Sequence, residues 1–249
     1  AYDTSTSKLL VNITADSSIS GADIQVGLNA ATTAANTVAA GDVQYTVTGT
    51  AQIDTIVTGA GADSITGGAG ADLITGGAGD DTLIGGAGID KYKFSDTNGK
   101  DTITFVRNED LLDFSTVTAQ GTIAEAAITN DAGTALGATT LTSNTTIYYI
   151  DTDATELGSA TATSVSDFTS TTAIATWLNL DDGFVAGDTA NDTNYLVIND
   201  ASDTDAAYVI KHTDDGDGTT TIEASELEII AVINSTVAGA IDVNDGVIA

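Results

Sequence analysis

TGAGADSIT, GGAGADLIT, GGAGDDTLI, GGAGIDKYK: the stretch from Thr58 to Lys93 repeats itself every nine residues. Aspartates fall at Asp54, Asp63, Asp72, Asp81 and Asp90, always nine apart, and a large apolar residue follows each by two, at Ile56, Ile65, Ile74, Leu83 and Tyr92. A unit of this length divides into a glycine turn of roughly six residues and a strand of roughly three. Successive strands then lie on alternate sides of a coil, and every second repeat stacks on its own kind. One apolar side chain per strand points inward and builds a thin core.

The glycines of the turns, such as Gly67, Gly68, Gly70, Gly76, Gly77 and Gly79, can take positive φ without steric cost, which lets successive carbonyls face one concave space. Such a bend suits a hard cation. Calcium takes about six to eight oxygens at roughly 2.3–2.6 Å, and one aspartate plus two carbonyls from each of two stacked turns supplies about six.

The run resembles the GGxGxDxUx nonapeptide of the RTX family, the parallel β-roll of bacterial proteins exported by type I secretion. Gly67–Thr75 and Gly76–Ile84 match every position; the unit at Thr58 lacks its first glycine, the unit at Gly85 ends in Lys91 and Lys93, and the unit at Gly49 keeps little beyond its aspartate. The resemblance implies Ca²⁺ between repeats n and n+2, pairing Asp63 with Asp81 and Asp72 with Asp90, and Asp54 with Asp72 over a first turn that has lost its glycines. The further candidate ligands on this pattern are Thr58, Ala60, Gly67, Ala69, Gly77, Gly79, Gly86 and Gly88. Asn98 to Ser115, NGKDTITFVRNEDLLDFS, resembles the strand pair that closes such rolls, with Asp101 in the place of a terminal ligand.

These readings predict a mainly β chain: a β segment at 1–48, a calcium-binding roll with capping strands at 49–115, and a β-rich region at 116–249 with about one helix. Strands are expected at Lys8–Thr14, Asp23–Asn29 and Asp42–Thr48 before the roll, and at Thr146–Ile150, Tyr195–Ile198 and Ala207–Lys211 after it. The helix is expected between Ser166 and Leu180, with Phe168, Ile174, Trp177 and Leu178 on its apolar face and Ser166 or Thr169 as its cap. The closing IDVNDGVIA, Ile241 to Ala249, is similar to the terminal signal of type I substrates.

Composition narrows the function. The chain of 249 residues has 36 acidic and 6 basic side chains and a net charge of −30, which disfavours nucleic acid as a partner. Cysteine and proline are absent, leaving no disulfide or thiolate chemistry. Methionine is absent too, so the sequence reads as a processed or C-terminal part of a longer product. No apolar run approaches the roughly 20 residues of a membrane span.

Catalytic patterns are missing: His212 is the only histidine, and there is neither an HExxH nor a GxSxG motif. In HTDDGDGTTTIEASELEIIAVI, His212 to Ile233, Asp215, Asp217 and Gly218 match the middle of an EF-hand loop, but Glu226 comes two residues too late. That segment reads as an acidic loop between two strands, either a weak calcium site through Asp214, Asp215 and Asp217 or a solvated turn. Lys91, Lys93, Lys100 and Arg107 crowd the end of the roll. They either balance the charge of Asp101, Glu109, Asp110 and Asp113 or form an adhesive patch for a neighbouring copy or an outer-membrane surface polysaccharide.

The expectation is a non-enzymatic, calcium-dependent structural protein, secreted to the surface of a Gram-negative bacterium and self-associating as an S-layer or filament subunit. The alternative is the C-terminal folding and secretion module of a larger exoprotein, an adhesin or a hydrolase.

Overall fold

The computed structural model describes residues 2–3, 8–14, 23–25, 43–95, 99–117, 124–128, 139–141, 146–150, 170–179, 184–186, 192–199, 206–219 and 221–236. The expected helix residues Ser166, Phe168 and Thr169, the Trp177 side chain and the terminal segment 241–249 lie outside them. The chain is mainly β and forms two compact units, Ala1–Thr118 with Asp245–Ala249, and Ala119–Asn244.

The first unit is a parallel β-solenoid. One face stacks β1 (Tyr2–Asp3), β2 (Lys8–Thr14), β4 (Val43–Thr48), β6 (Ser64–Ala69), β8 (Thr82–Ala87) and β10 (Asp101–Phe105) in that order, and the other stacks β3 (Asp23–Gln25), β5 (Thr55–Val57), β7 (Leu73–Thr75), β9 (Lys91–Lys93) and β11 (Leu111–Asp113). Apart from the antiparallel pair β1–β2, the neighbours run parallel. Register follows the period: Val47 sits beside Ile65 and Ile65 beside Leu83, while Ile56 sits beside Ile74 and Ile74 beside Tyr92. Two nonapeptides therefore make one coil.

The stretch 99–115 adds a strand to each face, in parallel, and so builds one further coil. Its pairs Leu83↔Ile103 and Tyr92↔Leu112 make this coil two residues longer than the coils of the repeats, where Ile65 pairs Leu83 and Ile56 pairs Ile74. The interior is a double column of side chains. Val47, Ile65, Leu83 and Ile103 on one face and Ile56, Ile74, Tyr92 and Leu112 on the other are at most 3% exposed. Each such burial contributes about 1.5–3 kcal/mol. Phe94 and Phe114 stack at 4.8 Å between ring centres and fill the last coil.

In the second unit, β16 (Thr193–Asn199), β17 (Ala206–Thr213) and β18 (Leu227–Ser235) form an antiparallel meander. Beside β16 run β14 (Thr146–Ile150) and then β12 (Ala124–Ile128), both parallel. A separate parallel pair joins β13 (Thr139–Leu141) to β15 (Phe184–Ala186).

Among the described residues one α-helix, α1 (Thr171–Leu178), falls within the expected window from Ser166 to Leu180. Ser170 caps it, its Oγ accepting from the Ala173 amide at 3.2 Å, as an N-cap side chain does. Ile174, Ala175 and Leu178 of α1 pack with Leu196, Ile198, Tyr208, Ile210, Ile222 and Leu227 into one apolar cluster. Among the described residues no helix is long and apolar enough to cross a membrane.

Candidate metal centre

The repeat aspartates do not point into water. Asp54, Asp63, Asp72, Asp81 and Asp90 are all at most 2% exposed, held at the two edges where strand gives way to turn. Each carboxylate from Asp63 onward accepts, through Oδ1, the backbone amide of the residue one coil earlier. The bonds run from Tyr45 N to Asp63 (2.8 Å), Asp54 N to Asp72 (2.9 Å), Asp63 N to Asp81 (2.8 Å), and Asp72 N to Asp90 (2.8 Å). The longer last coil keeps the pattern, with Asp81 N to Asp101 at 3.1 Å and Asp90 N to Asp110 at 3.0 Å. Two ladders result, Asp63–Asp81–Asp101 along one edge and Asp54–Asp72–Asp90–Asp110 along the other.

The second carboxylate oxygen is where the sites lie. Oδ2 of Asp63, Asp72, Asp81 and Asp90 is buried with no hydrogen-bond partner. A buried acceptor left bare is costly, and four in register call for a ligand. Glycine makes the room. A methyl group on Gly67, Gly76 or Gly85 would collide with Oδ2 of Asp72, Asp81 or Asp90 respectively, and on Gly67 it would also lie 2.6 Å from the Gly85 carbonyl oxygen. The next glycines along the turn, Gly68 and Gly77, take φ of 122° and 100°, and a side chain there would strike the carbonyls of Thr50 and Gly59 in the coil below. The turn is thus a nest of carboxylate and carbonyl oxygens closed to any side chain.

Among the described residues, the charges that raise these groups are those of other carboxylates. Burial pushes the Asp81 carboxyl up to about 8, with Asp101, Asp63 and Asp80 raising it further. Asp101 is pushed up to about 7, by burial and then by Asp80. Burial brings Asp72 to about 6, helped by Asp90 and Asp54, and Asp110 to about 6, helped by Asp90 and Glu109. Asp63 and Asp90 are raised by burial as well. Desolvation and like charge both disfavour the ionised form. An all-oxygen donor set that is anionic, buried and crowded fits a calcium ion, which takes carboxylates and carbonyls and supplies the missing positive charge.

The structure brings together the pairs Asp63–Asp81, Asp72–Asp90 and Asp54–Asp72, and adds Asp101 to the first ladder. Of the backbone candidates, Ala60 bridges Ala78, Ala69 sits opposite Ala87, and Gly79, Gly86 and Gly88 stack on Gly61, Gly68 and Gly70. Thr58 uses its side chain, the hydroxyl donating to the Gly76 carbonyl.

Asp110 was not anticipated as a site residue. The signal was its distance of twenty residues from Asp90, equal to that of Asp101 from Asp81. At both ends of its ladder Oδ2 is taken by a protein donor, although Asp54 Oδ1 is buried with no hydrogen-bond partner. Asp54 Oδ2 accepts from the amide and hydroxyl of Thr50 at 2.6 and 2.9 Å, and Asp110 Oδ2 accepts from the Val106 amide at 2.7 Å. In this ladder the middle rungs, Asp72 and Asp90, keep Oδ2 bare.

The family model for the RTX calcium-binding nonapeptide repeat, in four copies, matches residues 48–83 and 57–92. Residues 48–92 of the roll are RTX repeats. Together the two matches cover residues 48–92, less than a fifth of the 249-residue chain. RTX repeats bind calcium and typically belong to proteins that Gram-negative bacteria secrete. Comparison with curated proteins and with solved structures gives no match.

Proposed function

We propose that this chain is a secreted structural protein without enzymatic activity, whose RTX roll closes on calcium outside the cell and which then self-associates as an S-layer or filament subunit. The observation that carries the calcium step is the register of four buried carboxylate oxygens without partners, at Asp63, Asp72, Asp81 and Asp90. Where calcium is scarce, mutual repulsion and the entropy of the glycine turns keep the chain open and exportable. Where it is millimolar, sites with dissociation constants on the order of 10⁻⁴ to 10⁻³ M fill, and binding energy becomes folding energy.

Two features support the assembly step. Among the described residues the second face of the roll ends on β11, and an end strand is a template for pairing with another chain. On β9, the inward Tyr92 leaves Lys91 and Lys93 on the outer surface, facing Leu111 and Asp113 of the neighbouring strand, a basic strip on an acidic molecule. It suits the acidic face of another copy, or a phosphate-bearing surface polysaccharide.

Electron microscopy of the purified chain tests the reading. Ordered sheets or filaments should form only with calcium, and Lys91→Gln with Lys93→Gln should abolish them while calcium-dependent folding persists. Monomers under every condition would instead favour the folding and secretion module of a larger exoprotein.

A further inference from the structure

A second polar cluster lies in the other unit, where β17 ends. The chain enters a loop at Asp214 and returns through a 3₁₀ turn, Ala224–Glu226, into β18. The carboxylate oxygens of Asp214, Asp215 and Glu226 come within 4.8 Å of one another there. Asp214 and Glu226 are buried and Asp215 is exposed. Glu226, two residues late for an EF-hand, is brought in by the 3₁₀ turn: its Oε2 accepts from the Glu223 amide at 2.8 Å and its Oε1 from the Asp215 amide at 3.2 Å. Asp217, by contrast, stays outside and accepts from Thr219 N.

Acidic loops of this kind are common without a ligand. Two buried neighbours set this one apart. His212 is 0% exposed, neither of its ring nitrogens has a hydrogen-bond partner, and Nε2 lies 3.7 Å from Glu226 Oε2. Directly opposite it in the β16–β17 ladder stands Asn194, also 0% exposed, with neither amide atom hydrogen-bonded. Fully buried side chains normally find partners, and cross-strand neighbours share a face of the sheet. The imidazole stands beside the cluster through Glu226, with no hydrogen bond to it.

We propose that His212, Asp214, Asp215 and Glu226 bind one divalent transition-metal ion, of the zinc or manganese class, pinning the β17–β18 hairpin. An imidazole nitrogen among carboxylates suits these ions, whereas the all-oxygen turns of the roll suit calcium. The chain then carries two chemically distinct kinds of metal site, and the second rests on nothing in the repeats.

Its single histidine makes the test direct. The full-length chain, held in saturating calcium, is titrated with zinc and with manganese while the ¹⁵N resonances of the imidazole are followed and the zinc stoichiometry is measured by calorimetry. One equivalent of zinc should bind and shift a ring nitrogen as ligation does, and manganese should broaden the same signals. Asp215→Asn, at an exposed position, should weaken zinc on the order of tenfold or more, whereas Asp72→Asn in the roll should leave zinc affinity unchanged. An imidazole that neither ion moves would overturn the proposal whatever the variants do, and so would zinc binding unaltered in Asp215→Asn.

Discussion

The two units solve the same problem with opposite means. In the repeats of the roll each strand buries one large side chain, Ile65, Leu83 or Ile74, and buried carboxylates line the turns. In the second unit the helix α1 sets Ile174 and Leu178 on Leu196, Ile198, Tyr208 and Ile210, an apolar cluster with depth. A solenoid coil has little apolar area per residue to set against the entropy of ordering its chain. The roll is therefore a structure whose stability depends on what fills its turns, while the helix-covered sheet carries its own core.

Chelation should separate the two most sharply. With calcium at a hundredfold excess over the dissociation constant, each filled site adds about 2.7 kcal/mol. Removing it at neutral pH should strip hydrogen-exchange protection from β5 through β11 and leave β16, β17 and β18 protected. Equal loss in both units, or loss in neither, would break the contrast.

Acid should act on the units in opposite directions. In chelator, Asp81 at about 8, Asp101 at about 7, and Asp72 and Asp110 at about 6 all bind protons more tightly folded than at their ordinary value of 3.8. A raised folded value means that the folded state holds more protons. Its contribution is complete below pH 3.8 and is lost as pH rises through about 6 to 8. The metal-free roll should thus gain β-structure on acidification from pH 8.5 to pH 5, by circular dichroism. His212 behaves conversely: burial lowers it from 6.5, against the pull of Glu226 and Asp214, so its contribution to the second unit is present above pH 6.5 and is lost on acidification. A common direction in both units would sink this prediction.

How much of each unit was legible follows from the same contrast. The roll's period is written in contiguous residues, so the stacking of Ile56, Ile74 and Tyr92 could be read directly, as could the Asp63–Asp81 and Asp72–Asp90 pairs. Asp110 escaped because two extra residues in the last coil break the count of nine. In the second unit the strands around Tyr195 and Val209 were visible as apolar runs, but Glu226 meets Asp215 only through a 3₁₀ turn that no spacing rule encodes. Asn194 reaches His212 through a strand register set by long-range pairing. Likewise, the cap at Ser170 was not distinguishable by composition from the Ser and Thr residues around it.

Within the roll, the ends and the middle should also differ. Asp72 is a middle rung with Oδ2 bare, while Asp54 has its Oδ2 already satisfied by Thr50. Asparagine keeps an Oδ1 acceptor for the amide of the coil below but removes the charge. Asp72→Asn should therefore raise the calcium midpoint of folding by on the order of tenfold, about 1.4 kcal/mol, and Asp54→Asn by less. Equal shifts in a calcium titration would mean that the Thr50 cap does not substitute for an ion.

The smallest contrast isolates space from backbone angle. Neither Gly76 nor Gly59 takes a positive φ, so alanine is not strained at either by its own backbone. Gly76, however, stands where a methyl group would meet Oδ2, Cγ and Cβ of Asp81, whereas at Gly59 nothing lies within 4 Å. Gly76→Ala must displace a carboxylate that is itself tied to the Asp63 amide, and overpacking of this kind costs about 1–3 kcal/mol. Gly59→Ala meets no such obstacle and restricts the unfolded chain, so it should be neutral or stabilising by about 0.4–1 kcal/mol. Thermal unfolding in saturating calcium measures both. If the two variants melt together, the first glycine of the repeat is not there to make room for the carboxylate, and the reason for its presence must be sought in the turn itself.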